Sequence, residues 1–347
     1  MAIRRVTMED LARELGTSKT TISRALTDRP GVSESTRAAV VELARARGWR
    51  PNATARSLSK AQAGALGWVV RRTEKSATID PYFMDLLIGA QIELSSTPYS
   101  LVLKLVGSVG EELDVFDEWF ASRRVDGVLV TDVERDDSRL ARLAEAGVPS
   151  AVISPRDADL HGATAVPPED EEGVCAILRH LRGAGSRRIG WVAGPSAFVA
   201  TQHRRRAIDG WRSQFDALVV ESSTLDAESS SRAALRLRRE HDLDAVVVDN
   251  EFAAIQTIAL LHEQGLRVPD DVAVVSWLGS DLCLLSEPTI TALEHDVQAT
   301  GRRWVRALIE AVYGEPIHLD SMTPTVEPVG VASGSATRLR VRGSTLS

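Results

Sequence analysis

Gly16-Thr17-Ser18-Lys19-Thr20-Thr21-Ile22-Ser23-Arg24-Ala25-Leu26 is the run whose reading decides the fold of the first sixty residues. Before it, Thr7 is followed three places on by Asp10, then by Leu11, Ala12 and Leu15 at helical spacing, which is an N-cap leading an amphipathic helix. Gly16 ends that helix, because a residue without Cβ turns the chain there at little cost. Ser18 is placed to cap a second helix with Ile22, Ala25 and Leu26 turned inward. Lys19, Thr20, Thr21, Ser23 and Arg24 are thereby left on or near the surface. A third helix is expected from the Ser33-Glu34-Ser35-Thr36 cap, carrying Val40, Val41, Leu43 and Ala44 as far as Gly48. Two short helices about a Gly/Ser turn, the second bearing short polar and basic groups, form a helix-turn-helix suited to a DNA major groove.

A small-residue segment follows: Gly48-Trp49-Arg50-Pro51-Asn52-Ala53-Thr54-Ala55-Arg56-Ser57-Leu58. With it, the chain resembles the lac repressor/galactose repressor family of bacterial transcription factors. The resemblance is nearly continuous over residues 6–60 and continues more loosely to about residue 331. It implies a DNA-binding head over 1–47, a hinge over 48–62 and a two-lobed core over 63–331. Base-edge or phosphate contacts are expected from Lys19, Thr20 and Arg24, and phosphate contacts from the hydroxyls of Thr7, Ser18, Thr21 and Ser23. It also implies that Leu58, flanked by Asn52 and Arg56, wedges into the minor groove beside the same residue of a second subunit. A hinge helix of one or two turns is too short to persist alone, so DNA or the dimer partner is expected to order it.

The charge distribution agrees with a split of roles. The net charge of −7 combines +6 over residues 1–60 with −13 over the remainder, so the basic head rather than the acidic body is fitted to a polyanion. A chain of 347 residues, 44% of them apolar, suits two or three domains with real cores. Cys175 and Cys283 are the only cysteines and lack metal-type spacing; they read as buried thiols in a reducing cytoplasm. No apolar run approaches the length of a membrane span, and no export leader is legible after Met1.

From residue 65 onward, strand-like and helix-like runs alternate. Strands are expected at 66–70, 99–105, 125–130, 149–154, 188–193, near 218–221, at 245–249 and at 272–277. Helices are expected at 82–94, 111–122, 138–146, 170–183, 203–217, 230–240 and 252–264. This is an α/β pattern of two doubly wound parallel sheets in series, with a cleft at the C-terminal ends of their strands. The resemblance adds a periplasmic-binding-protein-like core, the chain crossing between lobes three times. The first lobe is then about 65–165 with 295–320, and the second about 166–290 with 321–331. Residues 332–347, rich in Ser and Arg and without periodicity, are expected to be a disordered tail.

No catalytic constellation is legible. There is no G-x-S-x-G elbow, P-loop or G-x-G-x-x-G after a strand, and Gly194-Pro195-Ser196 reads as a plain turn. No catalytic residue, cofactor or metal is therefore expected. Glu169 to Glu172 reads as acids complementing the start of a helix. For the effector cleft, the resemblance points to Asp80, Tyr82 and Phe83, to Ser154, to Asn250 beside Glu251, and to Trp277. Ala207 stands where the family places a cleft arginine and Leu278 where it places an aspartate, with Arg206 and Asp281 near enough to substitute. The expected cleft is unusually apolar and unsuited to a simple unmodified monosaccharide.

The function expected is a cytoplasmic, homodimeric, DNA-binding regulator, usually a repressor. It would read a near-palindromic double-stranded operator and respond to a small-molecule effector, with no membrane partner. The alternatives are a regulator without an effector, a solute-binding protein, which has no use for a basic head, and an enzyme of similar architecture.

Overall fold

The computed structural model describes residues 6–26, 30–49, 62–72, 81–224, 226–314 and 337–346. The chain divides into two compact units, Met1–Ala63 and Gly64–Ser347.

The first unit holds α1 (Met8–Glu14), α2 (Lys19–Leu26) and α3 (Glu34–Ala46). Thr7 and Asp10 form a reciprocal capping box: the Asp10 N–H donates to Thr7 Oγ1 at 3.2 Å and the Thr7 N–H to Asp10 Oδ2 at 3.0 Å. Gly16 takes φ +61°, the left-handed conformation that ends α1. Leu11, Ile22, Ala25, Val40 and Ala44 close a small core. Val41 is exposed rather than buried, since a 3.6-residue period cannot turn two adjacent valines to the same side.

The second unit contains two sheets. In the first lobe β1 (Ala65–Arg71), β2 (Ser100–Val106), β3 (Gly127–Val130), β4 (Ser150–Ile153) and β5 (Thr164–Val166) are ordered β2-β1-β3-β4-β5, all parallel. Between them run α4 (Pro81–Leu94), α5 (Val109–Ala121) and α6 (Ser138–Glu145).

The second lobe carries α7 (Asp170–Gly183), β6 (Arg188–Ala193), α8 (Val199–Asp209), β7 (Ala217–Ser222), α9 (Ala227–His241), β8 (Ala245–Val248), α10 (Glu251–Glu263), β9 (Ala273–Ser276) and β10 (Thr291–Glu294). The chain then returns to the first lobe as α11 (Val297–Tyr313). Its Gly301 and Gly89 of α4 let two backbones touch: a Cβ on Gly89 would lie 2.0 Å from the Gln298 carbonyl oxygen. The short strands β5 and β10 carry no sequence signal of their own; each exists because a neighbouring strand offers it an open edge.

The C-terminal segment departs from expectation. Residues 338–340 form β11 (Arg338–Arg340), antiparallel to β10 at the edge of a sheet ordered β11-β10-β9-β8-β6-β7. Beyond it, the Ser344 hydroxyl donates to the Val274 carbonyl at 2.6 Å and accepts the Thr291 N–H at 2.8 Å. Thr345 Oγ1 lies 2.8 Å from His180 Nε2 and 2.7 Å from Thr291 Oγ1. The low-complexity composition hid this because polar residues here satisfy buried backbone groups instead of burying apolar area. The stretch expected to return to the second lobe at 321–331 lies outside the described residues.

Ser344→Ala leaves a buried N–H and a buried carbonyl unmatched. The expected cost is about 1–3 kcal/mol, read as a lowered urea midpoint at unchanged slope. A variant as stable as its parent contradicts the docking of this segment.

Candidate effector cleft and DNA-reading helix

In the first unit, α2 begins where the Ser18 Oγ accepts the Thr21 N–H at 3.1 Å. The hydroxyls of Ser18 and Thr21 also meet at 2.9 Å, and Thr7 Oγ1 donates to Asp10 at 2.8 Å. Those three hydroxyls are therefore engaged in setting helix ends. Lys19, Thr20 and Arg24 are exposed, with Lys19 Nζ 3.6 Å from Glu9, while Ser23 and Thr21 are half-buried. Asn52, Arg56 and Leu58 lie outside the described residues.

In the second unit, the C-terminal ends of both sheets face a cavity of about 410 Å³. Its centre is Arg204, 9% exposed, on α8. The guanidinium lies 3.9 Å over the Trp277 ring, donates to Asp249 Oδ2 through Nη1, and reaches Asp170 Oδ1 at 3.4 Å through Nη2. Asp249, just past β8, also accepts the Trp191 Nε1–H at 3.0 Å and the Gly194 N–H at 2.9 Å. Burial works against ionising both Asp170 and Arg204. Charge pairing outweighs it: Arg204, helped by His203, holds the Asp170 carboxyl below its usual range, and Asp249 with Asp170 holds the guanidinium above its own.

Ala207, where an arginine is expected, is half-buried against the second lobe's core. Arg204 precedes it by three residues, which on a helix is the same face one turn earlier. Arg206 lies a further 200° around the helix from Arg204; it is exposed and pairs with Asp157 at 3.4 Å. The helix begins at Val199 instead of 203, and that phase turns Arg204 inward.

The first lobe supplies the facing wall through a second buried arginine. Arg139 donates to both oxygens of Glu112 at 3.0 Å, to Asp137 Oδ2 at 2.7 Å and to the Asp132 carbonyl at 2.9 Å. This locks the loop after β3, whose Asp132 pairs with Arg72 at 2.8 Å. The loop meets residues 197–199 of the second lobe. The Val199 N–H donates to the Val133 carbonyl at 2.9 Å and the Arg135 N–H to the Ala197 carbonyl at 3.1 Å, around a Glu134–Phe198 antiparallel bridge. The turn at 194–196 therefore leads into a main-chain clasp between the lobes.

Of the residues expected at the cleft, Tyr82, Asn250 and Trp277 line it. Asn250 Oδ1 is occupied in capping α10 through the Ala253 N–H at 2.8 Å, and Trp277 is 3% exposed beneath Arg204. Phe83 belongs to the first lobe's core, 4.5 Å from the Trp68 ring. Ser154 is buried with its hydroxyl turned to the Pro155 carbonyl, and Asp281 is exposed at the start of a 3-10 turn. Asp80 lies outside the described residues. The sequence did not single out Arg72, Asp132, Asp170, Arg204 and Asp249, which set buried charge into walls that are otherwise largely apolar. Only the run of three arginines at 204–206 signalled it.

Among the described residues, no group of His, Cys, Asp and Glu is arranged to hold a metal. No described helix is long and apolar enough to cross a membrane. Cys283 is buried, which pushes its thiol up to about 11, whereas Cys175 is only half-buried.

A helix-turn-helix unit in one chain with a two-lobed, ligand-sized cleft defines a ligand-binding regulator of transcription. Residues 7–52 match the model of bacterial regulatory proteins of the lacI family, and residues 178–330 that of a periplasmic binding protein-like domain. The HTH-type transcriptional regulator CelR of Thermobifida fusca is 30% identical over 348 residues, 98% of each chain. A solved CelR–cellobiose complex superposes with a TM-score of 0.69 at 28% identity, covering 98% of this chain and 100% of the other. The lac repressor dimer bound to operator and the anti-inducer ONPF shares the fold, with a TM-score of 0.76 at 20% identity over 99% and 100% of the two chains. This chain belongs to the LacI family of bacterial transcriptional regulators.

His203 lies at the edge of the cluster, Nδ1 3.7 Å from Asp170 and Nε2 3.9 Å from Glu171. Asp170 holds the imidazole above its ordinary pKa, against the effect of burial. A raised folded pKa gives stability that is complete below about 6.5 and lost as pH rises through the folded value. The melting temperature of the parent should therefore fall as pH rises above about 6.5, and His203→Gln should flatten that fall. Identical pH profiles would show that the pair contributes nothing.

Proposed function

We propose that this protein is a cytoplasmic repressor acting as a homodimer on a near-palindromic double-stranded operator. In this reading its DNA affinity is set by a saccharide larger than a monosaccharide, bound in the cleft. Lys19, Thr20 and Arg24 of α2 face the major groove, and Ser23 supports them at the backbone. Asn52, Arg56 and Leu58 act in the minor groove at the centre of the site. Dimerisation is supported by exposed apolar groups: Met84, Ile88 and Ile92, four residues apart along α4, and Leu103 and Leu105 on the edge strand β2. Twofold symmetry in the protein then calls for twofold symmetry in the DNA.

The observation that carries the effector reading is Arg204, fixed in the cleft against Trp277 by two carboxylates. A polyhydroxyl ligand needs many donors and acceptors at once, and Asn250, Gln256, Thr201 and Ser230 line the same cavity. The volume falls within the range of small-molecule sites. The CelR–cellobiose complex, a relative of this fold with a disaccharide bound, supports the size class. A saccharide changes DNA affinity only by binding one arrangement of the lobes better than the other.

If each head neutralises about four phosphates, log affinity falls against log salt with a slope of roughly −7 per dimer. Gel shifts across salt measure this, and a flat response or equal affinity for random duplex rules out the regulator reading. Calorimetry with pentoses, hexoses and glucose or galactose disaccharides tests the effector. A disaccharide is expected to bind at least about tenfold tighter than its monosaccharide, a difference of about 1.4 kcal/mol, and to shift DNA affinity. A monosaccharide that binds tighter and releases DNA overturns the size class.

A further inference from the structure

Two guanidiniums face the inside of the cleft, and both are already neutralised. Arg204 stands between Asp170 and Asp249, and Arg72 is paired with Asp132 at 2.8 Å. The other lining arginine, Arg303, is at the exposed rim, with Nη2 on Thr300 Oγ1 at 3.1 Å. Asp226 and Asp296 add further carboxylates to the same walls. His295 does little to offset their charge, because burial lowers the pKa of its imidazole and Arg204 nearby adds to the effect. A half-enclosed cleft with more carboxylates than guanidiniums presents a negative field, which its low-dielectric walls intensify.

Arg204 Nε is buried and has no hydrogen-bond partner among the described residues, although the charge of its guanidinium is already matched twice over. A guanidinium N–H whose charge is already neutralised donates well to an uncharged hydroxyl or ether oxygen. The paired guanidinium gives an incoming carboxylate or phosphate little net attraction, because Asp170 and Asp249, which hold it, repel the anion.

We infer that the cleft excludes anions, and that Asp170, Asp249 and Asp132 enforce this by neutralising Arg204 and Arg72. The effector is uncharged or carries a positive charge. Uronates, aldonates and sugar phosphates are rejected even where their carbon skeleton fits. This rests on the cleft being the effector site, and it assigns the three aspartates a role in specificity rather than in gripping the ligand. Removing one carboxylate frees a guanidinium and should admit the anion.

The test uses the full-length protein and matched ligands: cellobiose, the corresponding disaccharide ending in a glucuronate, and the glucosamine disaccharide. Calorimetry should find the acid at least about a hundredfold weaker than cellobiose and the amine no weaker. Asp132→Asn, at a partly exposed pair, and Asp170→Asn should each narrow the acid-to-neutral ratio by about tenfold or more. Binding of the acid within about threefold of cellobiose overturns the inference. So does an unchanged ratio in a variant whose melting temperature shows it is folded. If no saccharide binds, the saccharide reading falls, and the charge rule is read instead from sulfate and galacturonate. These should leave the parent's melting temperature unmoved and raise that of Asp132→Asn. Saturable stabilisation of the parent by either anion, lost in Arg204→Met, refutes the rule on its own.

Discussion

One buried guanidinium ties the second lobe together at the cleft. Arg204 joins the start of α7 through Asp170 and the end of β8 through Asp249, and covers the ring of Trp277 beyond β9. Asp249 extends the link to β6 through the indole of Trp191 and the N–H of Gly194. Three strand ends and two helices therefore share a single charge cluster. Such a cluster contributes little net stability, because desolvation offsets most of the Coulomb attraction, but losing one member leaves a buried charge uncompensated. Its structural effect is to make the wall of the cleft a single unit.

The first lobe solves the same problem in the same way. Arg139 lies between Glu112 and Asp137, and its last donor holds the Asp132 carbonyl. The loop after β3 is thereby fixed from behind. Its front then presents Asp132 to the cavity, and Val133 and Arg135 to the main chain of the second lobe. Each lobe thus holds its cleft-facing loop by one arginine and two carboxylates. The clasp at 133–135 and 197–199 lies where the two held loops meet. An effector that favours one lobe arrangement works against, or with, those few main-chain bonds.

The parallel order of both sheets, the helices over their faces, the three capped helices of the head and the stop at Gly16 were all legible in the sequence. They depend on short-range rules: the period of apolar residues, the hydroxyl before a helix, the glycine after one. Two short strands and the C-terminal edge strand were not legible. Their residues gain order from a neighbour's unpaired backbone and not from their own pattern. Ser344 has no propensity that announces a bridge between Val274 and Thr291.

The cleft marks the boundary between the two kinds of information. Residue type and motif spacing placed Tyr82, Asn250 and Trp277 near it, and led to an apolar site because Ala207 and Leu278 occupy the expected polar positions. Tertiary structure added buried charge to those apolar walls, through the phase of one helix. With α8 starting at Val199, Ile208 packs into the core and Arg204 points to the cleft, while Arg206 is carried round to solvent. A 100° step per residue makes neighbouring arginines differ entirely in environment, and a run of three gives no local sign of which one turns inward. The sequence by itself determined that there would be two lobes, a basic head and a cleft. Only the packing of α8 beside α7, with Ile208 in the second lobe's core, decided which charge stands inside that cleft, because the partners that neutralise it come from segments 34 and 45 residues away.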